Sequence, residues 1–269
     1  WHTLSLHDAL PISGLASAVV SVPLTYPPSR APGVDQLSGF LAPGGGARFG
    51  STPELEREVE DRFGPYLLDV EGFRGEDKGR ILEEARALTR QHFAILRHLL
   101  DTRAPAFAML VDLGPDRFHH ALLAAVDPRH PRYDPDGPFA GAGAEYYRLL
   151  DDEIGRTLER AGPETLVLVV SDHGVRPLVG AVCVNEWLVR EGWLVLREPP
   201  DAPAPLERLD VDWARTRAFA EGGYHARVFL NVAGREPRGS VAPAAAPALR
   251  DELAAGLAAI AGPDGEPLA

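Results

Sequence analysis

Thr165-Leu166-Val167-Leu168-Val169-Val170-Ser171-Asp172-His173-Gly174 runs a stretch of strand-forming residues directly into an acid and an imidazole. The stretch reads as a fully buried strand. Within a strand successive side chains point to opposite faces, so Asp172 and His173 converge on one ion only where the pleat breaks, and Gly174 permits that break. Carboxylate oxygen with imidazole nitrogen suits zinc, manganese or iron. Upstream, Phe107-Ala108-Met109-Leu110-Val111-Asp112 reads as a second strand. It leads into Gly114-Pro115-Asp116-Arg117-Phe118-His119-His120, ahead of the apolar run 121–126. A helix starting near Pro115 or Asp116 sets Asp116 and His120 one turn apart on a shared face. Two strand ends that each offer such a pair match the carboxyl edge of an open α/β sheet, where ligands collect. The four side chains are therefore expected to cluster there and to hold two divalent ions about 4 Å apart.

Each piece also has a bland reading. Asp-His-Gly alone is a common turn, with the Asp capping the next helix, and Asp116 after Gly-Pro is a good helix N-cap. Coincidence of both pairs at matching strand ends favours metal. His119 lies one residue off the face shared by Asp116 and His120, and His130 sits in a Pro-rich loop, so neither reads as a ligand. His225 abuts a strand over 228–232 and is not read as a ligand either. Arg117 has two open roles: contacting phosphate through its planar fork, or pairing with a nearby acid. Asp112 reads as structural and Cys183 as a small core residue.

Around these motifs the chain alternates. A strand is expected over 16–22, then a long Pro- and Gly-rich loop over 27–50 and a helix over 53–62. Ile81, Ala85, Leu88, Ile95 and Leu99 mark a longer amphipathic helix feeding the strand at Phe107. A loop over 127–143 precedes a helix whose inner face is expected to be Tyr147, Leu150, Ile154 and Leu158, and a last helix is expected over 248–260. Helix, strand and site loop thus repeat, which indicates α/β architecture with parallel crossovers. The 269 residues are 45% apolar, enough to bury one large core. A formal net charge of -12 opposes nucleic acid and anionic membranes as partners, and no apolar run reaches the ~20 residues of a membrane span. With one cysteine, disulfides within the chain and thiolate zinc sites are excluded.

Several segments in order resemble one family. They are Asp116 to His120, Asp127-Pro128-Arg129-His130-Pro131, Tyr146-Tyr147-Arg148-Leu149-Leu150-Asp151, Ser171-Asp172-His173-Gly174 and Val184-Asn185-Glu186-Trp187-Leu188. Val22-Pro23-Leu24-Thr25-Tyr26-Pro27-Pro28 and Asn231-Val232-Ala233-Gly234-Arg235-Glu236-Pro237 add to them. Together they are similar to the alkaline phosphatase superfamily, in its type I phosphodiesterase/nucleotide pyrophosphatase branch. That resemblance implies an alkaline-phosphatase-like, mostly parallel sheet flanked by helices. It also implies two-metal hydrolysis of a small phosphate ester, with Asp116 and His120 on one ion and Asp172 and His173 on the other. Zinc suits these donors best, with manganese or iron as alternatives. The family's early Asp, its Ser or Thr nucleophile and its late His are not evident here, and Thr25 and Ser38 do not match the nucleophile's position.

Residues 3–12 look like the translation of a sequencing adapter, so 1–12 are set aside as artefact. Residues 13–269 are expected to form a partial domain lacking both ends, with the nucleophile upstream, and to be nearly inert alone. The absence of a leader then carries no information on compartment. A sulfatase, a phosphoglycerate-mutase-like enzyme or an inactive binding module with the same fold remain alternatives.

Overall fold

The computed structural model describes residues 14–43, 46–178, 180–222, 226–262 and 265. Two compact units divide the chain, 1–179 and 180–269.

In the first unit, β1 (Ser17–Val22) is buried along its whole length, as befits a central parallel strand covered on both faces. It lies between β2 (Val34–Ser38) and β3 (Phe107–Leu110), giving the order β2-β1-β3. Both pairings are parallel, with Ser17 opposite Val34 on one side and Phe107 on the other. The expected α/β class with a parallel sheet is what the protein has. On one face of the sheet, Ala18, Val20 and Leu37 pack with Leu55 and Val59 of α1 (Pro53–Phe63) and with Ile95, Leu96 and Leu99 of α2 (Lys78–Arg103). Val19 and Val22 pack on the other with Phe107, Met109 and Val111. The five periodic residues expected on α2 are all buried.

Capping follows the sequence. The Thr52 side chain accepts from the Leu55 amide ahead of Pro53, and Asp77 accepts from the Arg80 amide. At the other end of α2, Ala104 is forced to φ 42 in the left-handed region, where a Cβ costs about 1 kcal/mol. Ala104→Gly is therefore expected to raise unfolding stability by about 1 kcal/mol, read from urea midpoints at constant m-value.

After β3, α3 (Gly114–Val126) and α4 (Ala142–Ala161) pack beside α2 in a cluster containing Ile81, Ala85, Leu88, Phe118, Leu122 and Tyr146. The second unit holds α5 (Val184–Arg190), the antiparallel pair β4 (Ala218–Gly222) and β5 (Ala226–Leu230), and α6 (Ala246–Ala258), around Leu188, Trp193, Leu194, Val211 and Leu253. There Asn185 exchanges two 2.8 Å hydrogen bonds with the backbone of Ala220, tying α5 to β4. No described helix is long and apolar enough to cross a membrane.

Four expectations are corrected. The stretch 27–50 is not wholly loop, because Val34 and Leu37 bury against β1 and make 34–38 a strand. The inner face of α4 is turned: Tyr146 and Glu153 are buried while Tyr147 and Leu158 are exposed, since Tyr146 reaches Thr89 at 2.8 Å and Glu153 pairs with Arg97 at 2.6 Å. Cys183 is exposed. Residues 165–170 form no strand; Leu166 is 84% exposed and Val170 84%. Their composition favours an extended chain, but a strand also needs a partner edge, which local pattern does not supply.

Candidate metal centre

β3 delivers the chain to the carboxyl edge of the sheet, and a buried polar knot fixes the turn into α3. Asp112 accepts from the Gly114 amide at 3.0 Å and from the Thr89 hydroxyl at 2.8 Å. Burial pushes its carboxyl up to about 6, those two hydrogen bonds oppose the shift, and the charge of Glu153 adds to it. Thr89 meets the Tyr146 hydroxyl, which donates to Ala85 O at 3.2 Å, and the Tyr146 ring stacks on Phe118 at 4.7 Å. Gly114 must be glycine because a Cβ there would overlap the Tyr146 and Thr89 oxygens.

With the turn held, α3 presents Asp116 and His120 on one face. Asp116 Oδ1 lies 3.6 Å from His120 Nε2, and both side chains are about a third exposed, at 31% and 30%. The other carboxylate oxygen, Oδ2, accepts from Arg117 Nη1 at 2.7 Å. Arg117 itself is buried and forks onto Asp69, Nε to Oδ1 at 2.5 Å and Nη2 to Oδ2 at 2.7 Å. Its guanidinium lies 4.0 Å from the Phe73 ring centroid, and the same ring lies 5.3 Å from the His120 ring. Of the two roles left open for Arg117, the described contacts are those of an acid-paired residue.

His119 points elsewhere, sharing a 2.9 Å hydrogen bond with the Tyr147 hydroxyl. Burial holds its imidazole below the ordinary histidine range; Asp116 opposes this, and repulsion from His120 and His173 adds to it. His173 is thus within electrostatic reach of α3. Asp172 Oδ2 and His173 Nε2 are 3.7 Å apart on exposed chain, with side chains 88% and 66% exposed. The Ser171 hydroxyl donates to His173 O at 2.6 Å. His130 Nδ1 accepts from the Arg132 amide. His225 lies outside the described residues.

Each pair offers one carboxylate oxygen and one imidazole nitrogen at a separation that a single divalent ion can bridge, so each fits as half of a metal shell. Among the described residues no three His, Cys, Asp or Glu side chains gather into one shell. The Thr25 hydroxyl donates to Val22 O at 2.6 Å and the Ser38 hydroxyl to Thr25 O at 3.0 Å, so both are used in closing the ends of β1 and β2. Sequence reasoning missed Asp69 and Phe73. An acid between Leu68 and Val70 carries no local signal, because its partner Arg117 is 48 positions away.

The family model described as type I phosphodiesterase / nucleotide pyrophosphatase matches residues 1–269. No curated protein and no solved structure matches the chain significantly.

Proposed function

Since the chain belongs to the type I phosphodiesterase/nucleotide pyrophosphatase family of the alkaline phosphatase superfamily, a family of phosphoester hydrolases that use divalent metals, we propose that its Asp116–His120 and Asp172–His173 pairs hold two such ions for cleavage of a small-molecule phosphodiester or pyrophosphate. The observation that carries this reading is the 3.6 Å approach of Asp116 Oδ1 to His120 Nε2 at the sheet's carboxyl edge, with His173 within electrostatic reach. Two bound ions supply charge stabilisation for the oxygens of the transferring phosphoryl group and a lowered pKa for the attacking hydroxyl.

The protein's own groups do the rest. Asp116 and Asp172 supply the negative charge that would hold cations in front of an anionic substrate, and those cations would invert the sign that the acidic chain otherwise presents. Each imidazole contributes a neutral nitrogen beside its carboxylate, and the donor set fits zinc first, then manganese or iron. Thr25 and Ser38 are tied to backbone carbonyls. Neither is assigned as the nucleophile, which we propose to be a Ser or Thr outside 13–269, and residues 13–269 alone are proposed to be nearly inert.

Calorimetric titration of this chain with zinc and with manganese tests the reading. Uptake is expected, and His120→Ala and Asp172→Ala should each weaken it at least ~10-fold. Equal affinity in the parent and both variants would refute it.

A further inference from the structure

We propose that the segment 69–73 is a strap that positions the Asp116–His120 pair, with Asp69 acting through Arg117 and Phe73 acting on the imidazole directly. The inference rests on the metal-binding reading above and names residues that reading does not use.

The geometry is unusually complete for residues outside the pair itself. Asp69 takes Arg117 in a two-pronged fork, leaving the third guanidinium nitrogen for Asp116 Oδ2. A fork of this kind fixes the plane of the guanidinium, and through it the plane of the Asp116 carboxylate. One Asp116 oxygen is thereby occupied, and the other faces His120 Nε2. Phe73 lies against both the guanidinium and the His120 ring, so one side chain limits the swing of each. The strap is itself anchored. The Leu67 amide donates to Gln91, the Leu67 carbonyl meets His92 Nε2 at 2.7 Å, and Val70 is buried in the α2–α3–α4 cluster. Ligands held by such outer partners bind metal more tightly because less freedom is lost on binding.

Charge alone argues the other way. A guanidinium beside Asp116 competes with any cation for the carboxylate, so a merely electrostatic Arg117 weakens metal binding and its removal strengthens it. Asp69 offsets that competition by sharing the positive charge. Orientation and charge therefore predict opposite signs for the same substitution.

The test is zinc titration calorimetry on parent, Arg117→Met, Arg117→Lys and Asp69→Asn, with melting temperatures alongside. Positioning requires roughly 10- to 100-fold weaker zinc binding in Arg117→Met and Asp69→Asn. It also requires no rescue by Arg117→Lys, which keeps the charge and loses the fork. Unchanged or tighter binding in Arg117→Met, or full rescue by lysine, overturns the proposal. So does a lowered melting temperature with unaltered zinc affinity. A second measurement needs no metal: in Phe73→Leu the His120 ring proton signals should move as the ring current is lost, and Asp69→Asn should move them too. If the parent takes up no zinc, the proposed function fails while the strap is judged on those signals, and an unmoved His120 signal in Asp69→Asn overturns it.

Discussion

His120→Ala and Asp172→Ala are each expected to lower hydrolysis of an aryl phosphodiester by the complete, zinc- or manganese-loaded gene product at least ~1,000-fold, a loss of about 4 kcal/mol of transition-state stabilisation. The effect should fall on turnover, because each change removes one of the two protein ligands assigned to its ion. Melting temperature should stay close to the parent's: the Asp172 side chain is 88% exposed and that of His120 30%, and neither belongs to a core cluster. Steady-state kinetics paired with thermal unfolding separate the two effects. Full activity in either variant would sink the two-metal reading, and so would efficient turnover after exhaustive chelation.

The second large effect concerns stability and comes from Asp112. Desolvation at the β3–α3 turn is the chief cause that pushes its folded-state carboxyl up to about 6 from an ordinary 3.8. A raised carboxyl value means that the folded protein holds the proton more tightly than the unfolded chain. Its contribution is therefore fully present below pH ~4 and is lost as pH rises through about 6, and two units correspond to about 3 kcal/mol. Asp112→Asn cannot ionise and keeps an oxygen to accept from Gly114 or Thr89. Urea unfolding at a series of pH values should show the variant about 3 kcal/mol more stable than the parent at pH 7 to 8, with the difference vanishing near pH 4. A pH-independent difference would show that Asp112 is not held protonated by the fold.

How much of this was legible in the sequence depends on how local each interaction is. The start of α3 is set by Gly114, Pro115 and the apolar run behind them, and the buried stripe of α2 repeats every three or four residues; both are written in neighbouring positions. The juxtaposition of Asp116 and His120 follows from one helical turn and was equally readable. β2 was not, because what makes 34–38 a strand is its pairing with a segment about 17 residues earlier. The turn of α4 was missed for a different reason. The apolar spacing turned Tyr147 inward instead of its neighbour and counted Glu153 as an outward group, whereas Tyr146 and Glu153 are drawn inward by Thr89 and Arg97. Asp69 and Arg117 combine both difficulties, a charged pair with distant members.

The exposed run Leu166 to Val170 bears on handling and on cell biology as much as on catalysis. A short uncharged segment of leucine and valine open to solvent is the kind of sequence that recruits copies of itself into cross-strand stacks. The same residues carry Asp172 and His173 at their end. Under the proposed function, an ion that holds those two side chains beside Asp116 and His120 would also tether the end of the run. On that reading metal supply would govern solubility along with chemistry, and a metal-starved cell would face clumped protein in addition to an idle enzyme.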